Sequence, residues 1–170
     1  VGDVAVAAPL EGRLDLFVTI QVGAVVAHDH GGRAAAWLRI ERRIDGGEQY
    51  FTRAVDFGYS KSAEESFEKW GEQQLLGDVV RVIRTFRPDV IITRLAPDRS
   101  AAHGHHEASA IIAEEAFNLA GDPKAFPEQL KEGLEVWQPR RLYFNGSTWW
   151  KKDLAEFAKN DPDWFTVDVG

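Results

Sequence analysis

Three of the chain's five histidines lie within four consecutive positions, His103-Gly104-His105-His106. Imidazole is the commonest protein ligand for zinc, and it also exchanges protons near neutral pH. If a helix begins near His103, the spacing allows His103 and His106 to face one point, while His105 points elsewhere. The cluster therefore indicates either a hydrolytic metal site or a polar surface loop, and its spacing alone does not decide between them.

Two carboxylates lie near the cluster in sequence, Asp98 before it and Glu107 directly after it. Carboxylates beside metal-binding histidines commonly orient the imidazole ring or join the ligand set. The helical period places Glu107 on the polar face of the helix that follows, together with Glu114 and Asn118. If the cluster binds zinc, changing His105 to Ala should do little to the affinity, because its ring points away from the other two.

The elements around the cluster alternate between helix and strand. Ser62 to Glu65 fits a capping box at the start of a helical stretch that Pro88 stops. The run Val90–Thr93 is short, apolar and β-branched, which is typical of a buried parallel strand, and residues 140–146 predict the next strand. The apolar stripes of the two helices are Leu75, Val79, Val82, Ile83 and Phe86 in the first, and Ala108, Ile112, Ala116 and Leu119 in the second.

This order of helix, strand, loop, helix and strand predicts an α/β fold, with a parallel sheet flanked by helices and Val90–Thr93 as a central strand. Ligands of open α/β sheets bind outside the carboxyl ends of the strands. The loop from Arg94 to His106 leaves the carboxyl end of Val90–Thr93, so the histidines are expected at that edge.

Composition limits the function classes. The chain has 170 residues, 44% of them hydrophobic and 28% charged, which suits one globular domain. A net charge of −7 argues against a broad nucleic-acid surface, and no apolar run is long enough for a membrane span. The absence of cysteine excludes disulfides and thiolate metal sites. No targeting segment is visible, and the compartment is left undecided.

Residues 1–43 differ from the rest of the chain. They contain no lysine, and they show neither the caps nor the apolar stripes of the later helices, so we expect them to be the least regular part. Leu14 to Val26 predicts one long strand or two short ones. The chain contains no methionine and ends on a strand-like run, which suggests a fragment or a trimmed domain.

From about Arg43 to Gly170 the chain resembles the LmbE-like, PIG-L type N-acetylglucosaminyl deacetylases. The residues that carry the resemblance are "FRPDVIIT", a loop containing Asp98, and "HGHHEASAIIAEEAF". The resemblance implies a Rossmann-like sheet and a zinc cofactor. It also implies His106 as a zinc ligand, His103 as the group that stabilises the oxyanion, and Asp98 in the substrate loop. Residues 44–170 would be the deacetylase domain, incomplete at its C-terminus, and residues 1–43 an atypical segment.

The chain departs from the family's first hallmark, Ala-His-Pro-Asp-Asp-Glu, which supplies two zinc ligands and the general base. Ala27-His28 matches its first two positions, which makes His28 a further candidate ligand. Asp29 then stands in place of proline, His30 in place of the base aspartate and Gly31 in place of the ligand aspartate. Asp29 or His30 can substitute chemically, because both residue types bind zinc and accept protons.

Three explanations of this departure are open: the site has drifted, the domain is a non-catalytic remnant, or residues 1–43 are a mistaken stretch of sequence such as a frame error. The implied function is a zinc-dependent hydrolase that removes the acetyl group from an N-acetylated sugar or glycoconjugate. The alternative is a non-catalytic α/β binding or scaffold domain that has lost the metal site. We expect weak or absent zinc binding by this chain.

Overall fold

The computed structural model describes residues 17–20, 50–55, 57–93 and 103–144. Strands and helices alternate along these residues, and no helix among them is long and apolar enough to cross a membrane. In chain order the elements are β1 (Phe17–Ile20), α1 (Ala63–Trp70), α2 (Glu72–Phe86), β2 (Val90–Thr93), α3 (Gly104–Leu119), α4 (Pro127–Lys131) and β3 (Arg141–Phe144).

The described strands form one parallel sheet in the order β1-β2-β3. Val90 pairs with Phe17 on one side and with Arg141 on the other. The α/β class and the central, parallel position of Val90–Thr93 are therefore confirmed. Within the predicted strand region of residues 14–26, the structure describes only β1, which lies at an edge of the described sheet. The other residues of the segment 1–43, which we expect to be the least regular part, lie outside the described residues.

The predicted capping box begins α1. The Ser62 hydroxyl accepts a hydrogen bond from the Glu65 backbone N–H at 3.3 Å, and the Glu65 carboxylate accepts one from the Lys61 N–H at 2.8 Å. The carboxylate thus reaches one residue further back than the usual box, which returns to the cap residue itself. The helical stretch divides at Gly71, whose φ of 78° is readily adopted only by glycine.

Helix α2 is buried over a wider face than the predicted stripe. Val82 and Phe86 are only half-buried, whereas Leu76 and Val80 are fully buried. Leu76 and Val80 share one core with Ile91 of β2 and with the alanine-rich face of α3. The small side chains of α3 let its backbone approach its neighbours closely, so the core fixes α3 firmly against α1 and α2. The other core members are Ala63, Trp70, Leu75, Val79, Ile83, Ala108, Ile112, Ala113, Ala116 and Ala120.

A buried arginine fixes the C-terminal end of α3. Arg84 of α2 is 1% exposed, and its guanidinium donates to four backbone carbonyls and to the side-chain oxygen of Gln129. The carbonyls include that of Ala120, the C-cap of α3, where a cation is favoured by the helix dipole. Burial lowers the pKa of Arg84, and this effect outweighs the negative charges of Glu128 and Asp122, which act to raise it. The four carbonyls belong to Ala120, Asp122, Ala125 and Phe126.

Candidate functional site

The N-terminus of α3 lies toward the carboxyl edge of the sheet. Trp137 links the other end of the helix to the amino end of β2, because its backbone N–H donates to Ala120 and its indole N–H to Pro88. The start of β3 lies at this amino end as well, where the Arg140 N–H donates to the Asp89 carbonyl at 2.7 Å. Helix α3 follows β2 in a parallel α/β unit. Since α3 ends beside the amino end of β2, it must begin at the carboxyl edge of the sheet. The histidine cluster occupies that beginning.

Gly104 is the point of closest approach between α3 and the residues that precede α1. Its N–H donates to the Ser60 carbonyl at 3.1 Å. A Cβ atom at Gly104 would lie 2.0 Å from the Ser62 carbonyl oxygen and 2.3 Å from the Ser60 hydroxyl. The first of these is a backbone atom that cannot turn away, so only glycine fits. The glycine in the cluster thus sets the position of the histidines around it.

His105 is half-buried, and its ring contacts two aromatic side chains and two hydrogen-bonding groups. Its ring stacks on Trp70 with 4.8 Å between centroids and meets Phe57 edge-on at 4.6 Å. Its Nε2 lies 2.8 Å from the Gly58 carbonyl, and its Nδ1 lies 3.1 Å from the Ser66 hydroxyl. Because a carbonyl only accepts, Nε2 donates to Gly58, and Nδ1 lies within hydrogen-bond distance of the Ser66 hydroxyl. Both ring nitrogens are engaged, so His105 is a structural residue.

His103 and His106 lie side by side at the exposed start of the helix. His103 is the N-cap residue, in extended conformation, and its side chain makes no capping hydrogen bond. The two rings are 5.5 Å apart between centroids and nearly perpendicular. Both side chains are exposed, and the ring of Tyr59 packs edge-on against His103 at 5.1 Å. The spacing of three residues therefore brings these two imidazoles together, as the sequence predicts, while His105 points into the protein.

Glu107 is buried, although the helical period groups it with the exposed residues Glu114 and Asn118. It is 8% exposed, and its carboxylate accepts a hydrogen bond from the Ala63 N–H at 3.2 Å. Ala63 is the first residue of α1, where a negative charge is favoured by the unpaired N–H groups of the helix start. One oxygen of Glu107 thus serves to dock α1 on α3. Sequence spacing gave no sign of this, because the partner lies 44 residues away.

The other candidate residues lie outside the described residues: His28, Asp29, His30 and Asp98. Among the residues that the structure describes, no three His, Cys, Asp or Glu side chains converge to hold a metal ion. The described part of the site therefore offers two imidazoles, and the roles of His106 as a ligand and His103 as an oxyanion donor stay predictions.

The sequence matches no protein-family model and no curated protein. A solved structure with a similar arrangement is N,N'-diacetylchitobiose deacetylase from Pyrococcus horikoshii in complex with its inhibitor MPG, at 16% sequence identity and a TM-score of 0.40. The match covers 76% of this chain and 45% of that protein, so the chain spans less than half of its length.

Proposed function

We propose that this chain carries part of the site of a zinc-dependent N-deacetylase that acts on an N-acetylated sugar or glycoconjugate, on a Rossmann-like sheet. The observation that supports it best is that two histidines of the cluster are exposed side by side, while the third contacts the rest of the fold. His103 and His106 are exposed and adjacent at a helix start on the carboxyl edge of a parallel sheet, and His105 and Gly104 hold that helix start in place. The sequence resemblance supplies the reaction class.

The described donors suit zinc in kind. Imidazole nitrogens are among its preferred ligands, and catalytic zinc sites commonly combine them with a carboxylate. In this proposal His106 binds the ion, His28 is a second ligand, and Asp29 or His30 takes the place of the missing aspartates. When bound, the ion supplies Lewis-acid polarisation of the reacting oxygen atoms.

The chain's own residues have separate tasks in the reaction. Water adds to the acetamide carbonyl, the C–N bond breaks, and the products are acetate and a free amine. His103 donates a hydrogen bond from its ring N–H to the oxygen on which negative charge develops. A basic side chain at position 29 or 30 accepts the proton of the attacking water, and the departing nitrogen takes up a proton. Asp98 lines the loop that receives the sugar.

The test compares the unmodified chain with His106→Ala and His103→Ala, measuring zinc affinity and acetate release from N-acetylglucosamine. His106→Ala should weaken zinc binding by about tenfold or more, whereas His103→Ala should mainly lower acetate release. Asn118→Ala is the matched control, because Asn118 is exposed near the opposite end of the same helix. Zinc affinity that is unchanged in His106→Ala would contradict the proposal. A folded chain with neither zinc binding nor acetate release would favour the non-catalytic alternative.

A second experiment separates one explanation of the altered hallmark, drift of the site, from the other two. The combined change Asp29→Pro, His30→Asp and Gly31→Asp restores the ligand and base types of the family pattern. If only these positions have drifted, zinc affinity and acetate release should both rise, and the rise should disappear when His106→Ala is added. If the rest of residues 1–43 is mistaken or the domain is a remnant, the restored chain should gain neither.

A further inference from the structure

The segment that leads into α1 is fastened to the start of α3 on both sides of one residue, Tyr59. On one side, the Gly58 carbonyl accepts the hydrogen bond of the His105 ring at 2.8 Å. On the other side, the Ser60 carbonyl accepts the Gly104 N–H at 3.1 Å, and the Ser60 hydroxyl lies 2.8 Å from that of Ser66. The backbone of Tyr59 is therefore fixed by the same helical turn that carries His103 and His106.

The same segment is also tied down further upstream. The Arg53 guanidinium donates to both carboxylate oxygens of Asp78 at 2.8 Å, and the Arg53 backbone N–H donates to Asp78 at 3.0 Å. Although partial burial alone would raise the pKa of Asp78, these hydrogen bonds and the charge of Arg53 hold it below its usual range. Phe57 packs into the cluster formed with Trp70 and His105. Tyr59 thus stands at the end of a segment that is anchored repeatedly.

Despite this anchoring, the Tyr59 residue is 65% exposed. Its ring packs edge-on against that of His103, with 5.1 Å between the centroids. A large aromatic side chain with a fixed backbone, beside two exposed imidazoles, loses little conformational freedom when a ligand covers it. Such rigid aromatic surfaces are the usual anchors of ligand sites, because they bury much area at a small entropic cost.

We propose that Tyr59 is a substrate-positioning residue, whose ring forms a wall of the site against which the sugar ring packs while its acetamide group lies at His103 and His106. This inference rests on the proposed function for its substrate class. The C–H groups on a face of a pyranose ring are apolar, and they pack well on an aromatic surface. The contact between Tyr59 and His103 sets the distance from the wall to the reacting group.

The experiment measures sugar binding separately from metal and from catalysis. The whole chain is freed of metal with a chelator, and binding of N,N'-diacetylchitobiose is followed by saturation-transfer NMR and calorimetry. Tyr59→Ala should weaken binding by about tenfold, and Tyr59→Phe should bind within about twofold of the unmodified chain, since the ring is kept. Phe51→Ala is the control, because Phe51 is 60% exposed on the same segment and should leave binding unchanged.

Equal binding by Tyr59→Ala and the unmodified chain would overturn the inference, and so would the absence of binding by the unmodified chain. Binding that depends on Tyr59 in a chain that releases no acetate would support the inference and count against the deacetylase. Acetate release with a KM that is unaffected by Tyr59→Ala would support the deacetylase and overturn the inference. Circular dichroism of each variant establishes that the fold is retained.

Discussion

Replacing His105 by alanine should destabilise the fold far more than replacing either neighbouring histidine. The change removes the stack on Trp70, the edge-on contact with Phe57 and the hydrogen bonds to Gly58 and Ser66. The sequence alone predicts that His105 is dispensable for zinc binding. It gives no sign that His105 is required for the structure that presents the zinc-binding candidates.

The magnitude follows from the contacts. Each aromatic contact contributes about 0.5–1.5 kcal/mol beyond area burial, and each hydrogen bond about the same. The Gly58 carbonyl is exposed, so water replaces much of its bond, and the buried Ser66 hydroxyl keeps Ser60 and Ser62 as neighbours. We therefore expect His105→Ala to lower the free energy of unfolding by about 2–3 kcal/mol. For a chain of this length, the midpoint temperature should fall by about 4–10 °C.

The assay is urea unfolding followed by far-UV circular dichroism, at fixed pH, with His103→Ala and His106→Ala as controls. Both controls remove exposed rings and should cost less than about 1 kcal/mol. His105→Phe should fall between the extremes, because it keeps the ring packing and loses both hydrogen bonds. A loss for His105→Ala no larger than that for His106→Ala would refute the structural role of His105.

Three further outcomes follow from the structure. Gly104→Ala should lower the free energy of unfolding by about 2–3 kcal/mol in the same urea assay, because the new Cβ meets the Ser62 carbonyl; equal stability would refute the close approach. Arg84→Met should cost about 3–5 kcal/mol, because it removes all five hydrogen bonds that the buried guanidinium donates, and a loss below 1 kcal/mol would contradict this anchor. Burial, with the charges of Glu72 and Glu114, raises the pKa of Glu115. Its charged form therefore opposes folding, so stability begins to fall above the pKa of Glu115 in the unfolded chain, and the loss is complete once the pH has passed its folded pKa. Glu115→Gln should stabilise the chain by about 0.5 kcal/mol at pH 7 and have no effect near pH 3, whereas a gain independent of pH would contradict this effect.

The sequence predicts the elements well where local chemistry decides them. The capping box at Ser62, the stop before Pro88 and the apolar run Val90–Thr93 each depend on neighbouring residues, and each is present in the structure. Gly71 divides the expected helical stretch. The sequence pattern did not show this, because a glycine can be tolerated inside a helix or can end it. The width of the buried face of α2 depends on how many elements pack on it, which periodicity does not state.

The functions of individual polar residues were harder to predict, because their partners are distant in sequence. His105 contacts Gly58 and Ser66, which lie 47 and 39 residues earlier. Arg84 gathers carbonyls that lie 36 to 42 residues later. Helical spacing placed His103 and His106 together correctly because both lie within one turn. It gave no sign that Glu107 is buried, because only the docking of α1 on α3 shows what the carboxylate meets.

The separate roles of His105 and His106 are tested most directly by imidazole nitrogen NMR. The whole chain is labelled with nitrogen-15 and titrated with zinc. Histidine nitrogens shift strongly when they bind a metal, so each ring reports on its own role. We predict that resonances of His106 shift as zinc is added, with weak, micromolar or poorer affinity, and that those of His105 do not move, since both of its nitrogens are already engaged. A zinc-dependent shift of His105, or zinc binding that leaves the resonances of His106 unshifted, would contradict these roles.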